Sequence, residues 1–280
     1  VVRNSEGLFK GYTPSGGLTN YVGPMSALML SIFSFYVMYS LNRNKGDFKK
    51  DFINAYLPVY LGVALILAGY GGRLYIVTTI LSIIVLYTNY YNKIKIAKTL
   101  CIAGLGIVIV GIVGLWRINS GISIKGIIDI VSFESLFTAF SLIYFIAHYS
   151  IPVIKFPFPL LGSFINLVPS IVMPNKSELI VDLPDVGYEI YSPAGALNSF
   201  MSLMVNFGVL GTIIFVIVLV YLLRVLREQD NNLAKLMYSC LCANIAFTFF
   251  RDPFSVSIVK NMFEFCIIIP LIVMLLNVLD

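Results

Sequence analysis

Gly69-Tyr70-Gly71-Gly72-Arg73 places one arginine directly after a glycine turn, between two apolar runs at residues 53–68 and 74–91. Glycines supply the positive φ that a tight turn needs, but such a turn has no structural use for a cation. A guanidinium is planar and permanently charged, and it presents parallel donors that fit phosphate or pyrophosphate in bidentate fashion. Arg3, Arg117 and Arg251 are isolated in the same way. If all four share one face of the molecule, they could clamp a phosphorylated ligand. The competing assignments are plainer. Arg73 would be an interfacial anchor with its stem along lipid, Arg117 a span terminus, and Arg251 a turn residue paired to Asp252.

Other groups could hold or deprotonate a ligand. Between residues 174 and 192 lie Glu178, Asp182, Asp185 and Glu189, with Tyr188 and Tyr191 interleaved. Carboxylates beside aromatic rings are one way to hold a sugar, and solvated loop residues are the alternative. Glu189 and Tyr191 stand out because they are nearest the next apolar run. His148 is the single histidine, and a structural role in an apolar stretch competes with a catalytic one. Lys260 and Glu264 are four apart, so they share a helix face as a functional pair or a neutralising ion pair. Asn206-Phe207-Gly208-Val209-Leu210-Gly211 offers small residues for close helix approach. It reads as packing rather than binding.

The elements that must position these groups follow from composition. With 59% apolar and 12% charged residues and a mean hydropathy of +0.91, a chain of 280 residues has too little interior to hide its apolar surface from water. The apolar runs match the ~20 residues that a helix needs to cross a bilayer, and ten-residue alternation of the barrel type is absent. The fold class expected is all-α: a polytopic helical membrane protein forming one integral membrane domain over 1–280. The four cysteines all fall in apolar runs and read as small fillers. Cys240-x-Cys242 has no second pair or histidine to complete a metal site. The net charge of +5 reports topology rather than nucleic-acid binding.

Basic loops orient the spans. A first span at 24–41 is followed by Arg43, Lys45, Lys49 and Lys50, and the run at 74–91 is followed by Lys93, Lys95 and Lys98. Both loops belong on the cytoplasmic side by the positive-inside rule. The hinge at 69–73 is then outside, and a fourth span at 99–116 exits beside Arg117. Arg224, Arg227 and Lys235 mark a third inside loop after the run at 202–223, and spans at 235–250 and 257–277 lead to a cytoplasmic C-terminus. Between 117 and 201 the parity requires an even number of crossings. The stretch at 133–154 and the one at 156–173, cut by Pro157, Pro159 and Pro169, are therefore expected to form a broken or re-entrant helical pair lining a cavity. This gives about seven full spans plus that pair. Val1 in place of Met, with a polar opening segment, suggests that N-terminal spans precede this sequence.

No P-loop, nucleotide-binding glycine pattern, Ser/His/Asp set or metal cluster is visible, so neither a cofactor nor a metal is expected. An enzyme acting on the outer face has no nucleotide sugar at hand. Its substrate would have to arrive already activated, most simply on a lipid pyrophosphate.

Several residues together resemble the O-antigen and capsular polysaccharide polymerases, the Wzy-type family that joins lipid-linked oligosaccharide repeats. They are Gly71-Gly72-Arg73 opening a span, Arg117 closing the next, Tyr149-Ser-Ile-Pro152, and the large outer loop. Downstream come residues 191–211, ending in Asn206-Phe207-Gly208-x-x-Gly211, and the Arg251-Asp252 turn. Family members share topology more than sequence, and the arginine-with-spaced-glycine motif of some members is absent here. The resemblance implies a metal-independent glycosyltransferase on the outer face of the bacterial cytoplasmic membrane, extending undecaprenyl-pyrophosphate-linked repeats into O-antigen or capsule. Arg73, Arg117 and Arg251 would be catalytic, with Glu189, Asp252 and His148 as candidate bases in falling order. Arg3, Tyr70, Tyr149, Tyr188, Tyr191 and Lys260 would bind substrate. The implied partners are lipid-linked oligosaccharides, membrane lipids, a chain-length regulator and a flippase. The alternatives are an O-antigen ligase, which leans on an outer-loop histidine, and a transporter or flippase of the same lipids.

Overall fold

The computed structural model describes residues 56–69, 73–90, 123–165, 172–179, 183–190, 197–251 and 266–279, with single positions at 104, 108, 111, 112, 115, 168, 181 and 263. Among these the protein is all-helical, with no strand. In chain order the helices are α1 (Leu57–Gly69), α2 (Arg73–Tyr90), α3 (Ile124–His148), α4 (Phe158–Phe164), α5 (Ser199–Glu228), α6 (Asn232–Arg251) and α7 (Ile269–Leu279). Two short 3-10 turns, Lys176–Glu178 and Pro184–Val186, lie between α4 and α5.

Local chemistry explains where the helices start. Ser123 Oγ accepts the Gly126 N–H at 3.1 Å, Asn198 Oδ1 accepts Phe200 N–H at 2.9 Å, and Asn231 Oδ1 accepts Ala234 N–H at 2.6 Å. Each side chain satisfies donors that the first turns of α3, α5 and α6 would otherwise leave open. The cap at Ser123 starts α3 about two and a half turns before the expected apolar boundary at 133. Lys125 and Asp129 in that extra segment are accommodated because charged residues tolerate a solvated helix face. Of the expected spans, those at 24–41, at 99–116 and in the first part of 257–277 lie wholly or largely outside the described residues, and the 156–173 run is helical only over Phe158–Phe164; other runs became helices close to their expected limits. The 53–68 run gives α1, the 74–91 run gives α2, and the 235–250 run lies within α6. Gly69, expected in the hinge, is instead the last residue of α1.

The described helices bury polar residues alongside apolar ones and expose many large apolar side chains. Along α2, Thr78, Thr79 and Ser82 are buried while Ile80 is exposed. Along α3, Thr138 and Ser141 are buried whereas Leu136, Phe140, Ile143 and Ile146 are exposed. Along α5, Ser199, Ser202, Asn206 and Thr212 are buried and Ile213, Ile214, Ile217 and Val218 are exposed. Two of the buried hydroxyls donate within their own helices: Ser82 Oγ to Thr78 O at 2.9 Å and Ser141 Oγ to Thr138 O at 2.8 Å. Among the described residues α5, at 30 residues, is the one helix long and apolar enough to cross a membrane by length and composition.

The chain forms two compact units. The first comprises Val1–Val131, Gln229–Ala243 and Phe265–Asp280. In it, the Tyr60 hydroxyl on α1 donates to Ile76 O on α2 at 2.9 Å, and Leu86, Leu236, Cys240 and Leu241 are buried. Tyr90 and Tyr238 meet edge to face at 6.4 Å. The second comprises Ser132–Glu228 and Asn244–Glu264, and it carries His148, Tyr149, Tyr188 and Glu189.

Candidate functional site at the Gly208 break

In the second unit α5 is not continuous. Gly208 has φ 73° and ψ −176°, a conformation essentially restricted to glycine. The break leaves backbone groups of α5 without their usual partners one turn away, and an extended segment of the chain supplies new ones. Val209 N–H donates to Pro152 O at 3.0 Å, Leu210 N–H to Val153 O at 3.0 Å, and Lys155 N–H to Phe207 O at 3.1 Å. Residues 152–155 thus lie directly against the unwound turn. A Cβ built on Gly208 would fall 2.7 Å from Pro152 O and from the Val153 carbonyl. The Asn-Phe-Gly-Val-Leu-Gly segment, read from sequence as helix-packing surface, does provide close approach. Its partner, however, is a piece of non-helical backbone, and the helix itself breaks to receive it.

Asn206 locks the same junction from the other side. Its Nδ2 donates to Ser202 O at 2.8 Å and its Oδ1 accepts the Leu160 N–H at 2.9 Å, with the side chain buried. Leu160 lies in the first turn of α4, whose capping position is Pro157, which makes no side-chain cap bond. Pro159 has no N–H at all, so Asn206 supplies from a distance the acceptor that the local sequence lacks. Leu160 and Leu203 form the buried contact between α4 and α5, flanked by Phe164, Phe207 and Phe215. Phe164 also meets Phe263 edge to face at 5.4 Å.

Above this junction sits a cluster of aromatic and ionisable groups at the end of α3. Phe145, Met201 and Val205 form a buried centre, and Tyr149, Ile151, Leu183, Val186, Tyr188 and Ile190 pack around it. Tyr188 meets Phe145 at 5.6 Å and Tyr149 at 5.2 Å, both edge to face, geometries that bring the positive rim of one ring to the negative face of another. The Tyr149 hydroxyl donates to Glu189 O and accepts the Glu189 N–H, both at 2.9 Å. Its one donor is thereby used, and its role is to pin the loop of residues 183–190 onto the end of α3. The left-handed Gly187, at φ 86°, ends the preceding 3-10 turn and turns the chain into this contact. The Lys155 ammonium lies 4.1 Å from the centroid of the Tyr188 ring.

His148 is the last residue of α3 and is exposed, next in sequence to Tyr149. The stretch at 133–154 therefore does not bury it. Its Nδ1 is 2.9 Å from Tyr144 O, and its ring stacks on Tyr144 at 4.1 Å. A carbonyl can only accept, so Nδ1 carries a proton, and in the neutral ring Nε2 holds the lone pair.

Of the residues singled out from sequence, the structure gathers Tyr149, Tyr188 and Glu189 into one cluster and places His148 at its edge. Arg73 opens α2 and Arg251 closes α6, but their side chains lie outside the described residues. Arg3, Tyr70, Arg117, Tyr191, Asp252 and Lys260, together with Glu264, lie outside them entirely. The convergence expected of the four arginines therefore falls on residues not described. Lys155 was missed. The available signal was a lone cation inside the apolar, proline-flanked run Ile151-Pro-Val-Ile-Lys-Phe-Pro157, because an ionisable residue in such a run is costly unless it is used. Among the described residues no group of three or more metal-ligating side chains is found. No family model matches the chain, and no curated protein and no solved structure matches it.

Proposed function

We propose that the chain is a polytopic membrane protein that joins lipid-pyrophosphate-linked oligosaccharides, in the manner of the Wzy-type polymerases. The observation carrying this reading is the cluster around Tyr188. It puts aromatic rings, a lysine ammonium and an exposed carboxylate residue, Glu189, beside a helix broken at a glycine. Rings can stack on the apolar face of a pyranose, cations can hold phosphoryl oxygens, and unwound backbone is tolerated at membrane depth where it lines a cavity. Large exposed apolar side chains such as Leu136, Ile143, Ile213 and Ile217, with Thr138, Ser141, Ser202 and Asn206 inside, suit helices whose solvent is lipid.

In the proposed reaction an acceptor hydroxyl oxygen attacks the anomeric carbon of the donor. The bond from that carbon to the pyrophosphate oxygen breaks, its electron pair leaving with the lipid pyrophosphate. The hydroxyl proton passes to Glu189, with Asp252 or His148 as the other candidate acceptors. Because the leaving group is already stable, the protein's contribution is orientation and stabilisation of developing negative charge. Arg73, Arg117 and Arg251 are assigned to that charge, on the outer face of a bacterial cytoplasmic membrane.

Two observations favour related alternatives. The exposed His148 suits a ligase that transfers finished glycan to a different acceptor. The discontinuous α5 resembles the broken helices around which transporters build midplane sites. One reconstitution separates the three. Purified chain in liposomes is given a lipid-pyrophosphate-linked oligosaccharide, and products are resolved by gel. A ladder of repeats is expected, and Arg73→Ala should leave single repeats only. Movement of the lipid across the bilayer without new glycosidic bonds would mean a transporter. Transfer only when a lipid A core acceptor is added would mean a ligase. Full-length polymer from the Arg73→Ala protein would remove the arginine from the mechanism.

A further inference from the structure

Lys155 is half-buried, and among the described residues it forms no ion pair, in contrast to Arg224 with Glu228 and Lys235 with Asp230. Its described side-chain partner is the face of Tyr188, 4.1 Å away. An aromatic face attracts an ammonium but accepts none of its three N–H donors, which stay open to water or to a ligand. Such a cation keeps its donors free for an anionic ligand while it is held on the ring. The backbone that carries it is held in place: Lys155 N–H donates to Phe207 O, and Pro152 and Val153 accept from the turn after Gly208. On the other side, Tyr188 is fixed by Phe145, by Tyr149 and by the Tyr149–Glu189 bonds. Both halves of the lysine–tyrosine pair are thus anchored by contacts that do not involve the ammonium. This is the arrangement expected of a preorganised binding group rather than of a freely moving surface lysine.

We infer that Lys155 is an anion-binding residue, positioned on the Tyr188 ring to receive phosphoryl or carboxylate oxygens of a saccharide ligand. The inference rests on the proposed glycan-joining reading for the identity of the ligand, and on the geometry alone for the presence of the site. Phosphoryl oxygens would come from the lipid pyrophosphate and carboxylate oxygens from an acidic sugar of the repeat. Neutral sugars would gain nothing from the lysine. Arginine would retain the charge at this position and glutamine would not.

The test uses full-length protein in nanodiscs titrated calorimetrically with inorganic pyrophosphate, glucuronate and glucose. The wild type is expected to bind at least one of the two anions. Lys155→Gln should weaken that binding by roughly tenfold to a hundredfold, the range of one charge-assisted hydrogen bond. Lys155→Arg should restore most of it. Pyrophosphate as the sole ligand would point to the lipid leaving group, and glucuronate as the sole ligand to an acidic sugar. Because Lys155→Gln could disturb folding, the wild type is also acylated with an amine reagent and mapped by mass spectrometry. The binding anion should slow modification of Lys155 and leave Lys176 unchanged. No anion binding by the wild type, equal affinity in Lys155→Gln, or equal modification of Lys155 with and without anion would each overturn the inference. The reconstitution assay keeps the two readings apart. Polymer formed by a protein whose anion affinity ignores Lys155 removes this inference alone. Anion binding that depends on Lys155, in a protein that forms no glycosidic bond, removes the polymerase reading alone.

Discussion

Replacing Gly208 with alanine should disconnect the site from its scaffold. The backbone at φ 73° and ψ −176° is costly for any residue with a Cβ, by about 1–3 kcal/mol. The new methyl would also lie 2.7 Å from Pro152 O and from the Val153 carbonyl carbon and oxygen, all backbone atoms that cannot rotate away. Overpacking of that kind adds roughly 1–3 kcal/mol. The chain can escape by straightening α5, but it then gives up the bonds from Lys155 to Phe207, Val209 to Pro152 and Leu210 to Val153. At about 0.5–1.5 kcal/mol each, their loss is of the same order as the strain. By either route the variant should lose about 2–5 kcal/mol, and the segment of residues 150–157 should detach. The assay is thermal unfolding in detergent micelles followed by circular dichroism, with limited proteolysis reporting cleavage in 150–157. Gly62→Ala is the control, because nothing lies within 4 Å of its added Cβ and it sits inside α1. That change should be neutral or gain up to about 1 kcal/mol of helix propensity. A Gly208→Ala protein as stable and as protease-resistant as the Gly62→Ala control would refute the backbone clamp.

Two further substitutions address the groups around the break. Asn206→Leu keeps roughly the same volume but leaves the Leu160 N–H without its acceptor and Ser202 O without its side-chain donor; it should cost about 2–4 kcal/mol, measured by the same melts, and Asn206→Asp should be milder if the Leu160 bond is the dominant contact. Tyr149→Phe removes both bonds to the Glu189 backbone but keeps the ring contacts; it should cost about 1–2 kcal/mol and speed amide hydrogen exchange at Glu189 and its neighbours, while unchanged exchange there would show that the hydroxyl does not pin the loop.

The candidate residues were legible as types and not in their assembly. Tyr149, Tyr188 and Glu189 stand out in sequence as candidates, yet Tyr149 and Glu189 meet across a separation of 40 residues. Their contact depends on Phe145 and Met201 being buried together, which no local pattern encodes. His148 looked internal because hydropathy averages over a window, and a polar residue at the end of an apolar stretch is averaged with its neighbours. Tyr149, grouped in sequence with the residues that would touch substrate, turned out to spend its hydroxyl on the backbone of residue 189.

The sequence alone determined the helical class and the approximate limits of the helices. Runs of apolar residues in the absence of alternation leave few ways other than helices to satisfy the backbone. Only the tertiary structure decided that α5 breaks at Gly208. A glycine inside an apolar helix is compatible with an unbroken helix and with a kink. The choice between them was made by residues 152–155, distant in the chain, whose carbonyls and amide replaced the bonds that the helix gave up. The same long-range pairing set Lys155 on the ring of Tyr188. Thus the lysine on which the proposed anion site rests gained its place from an interaction that sequence spacing does not express.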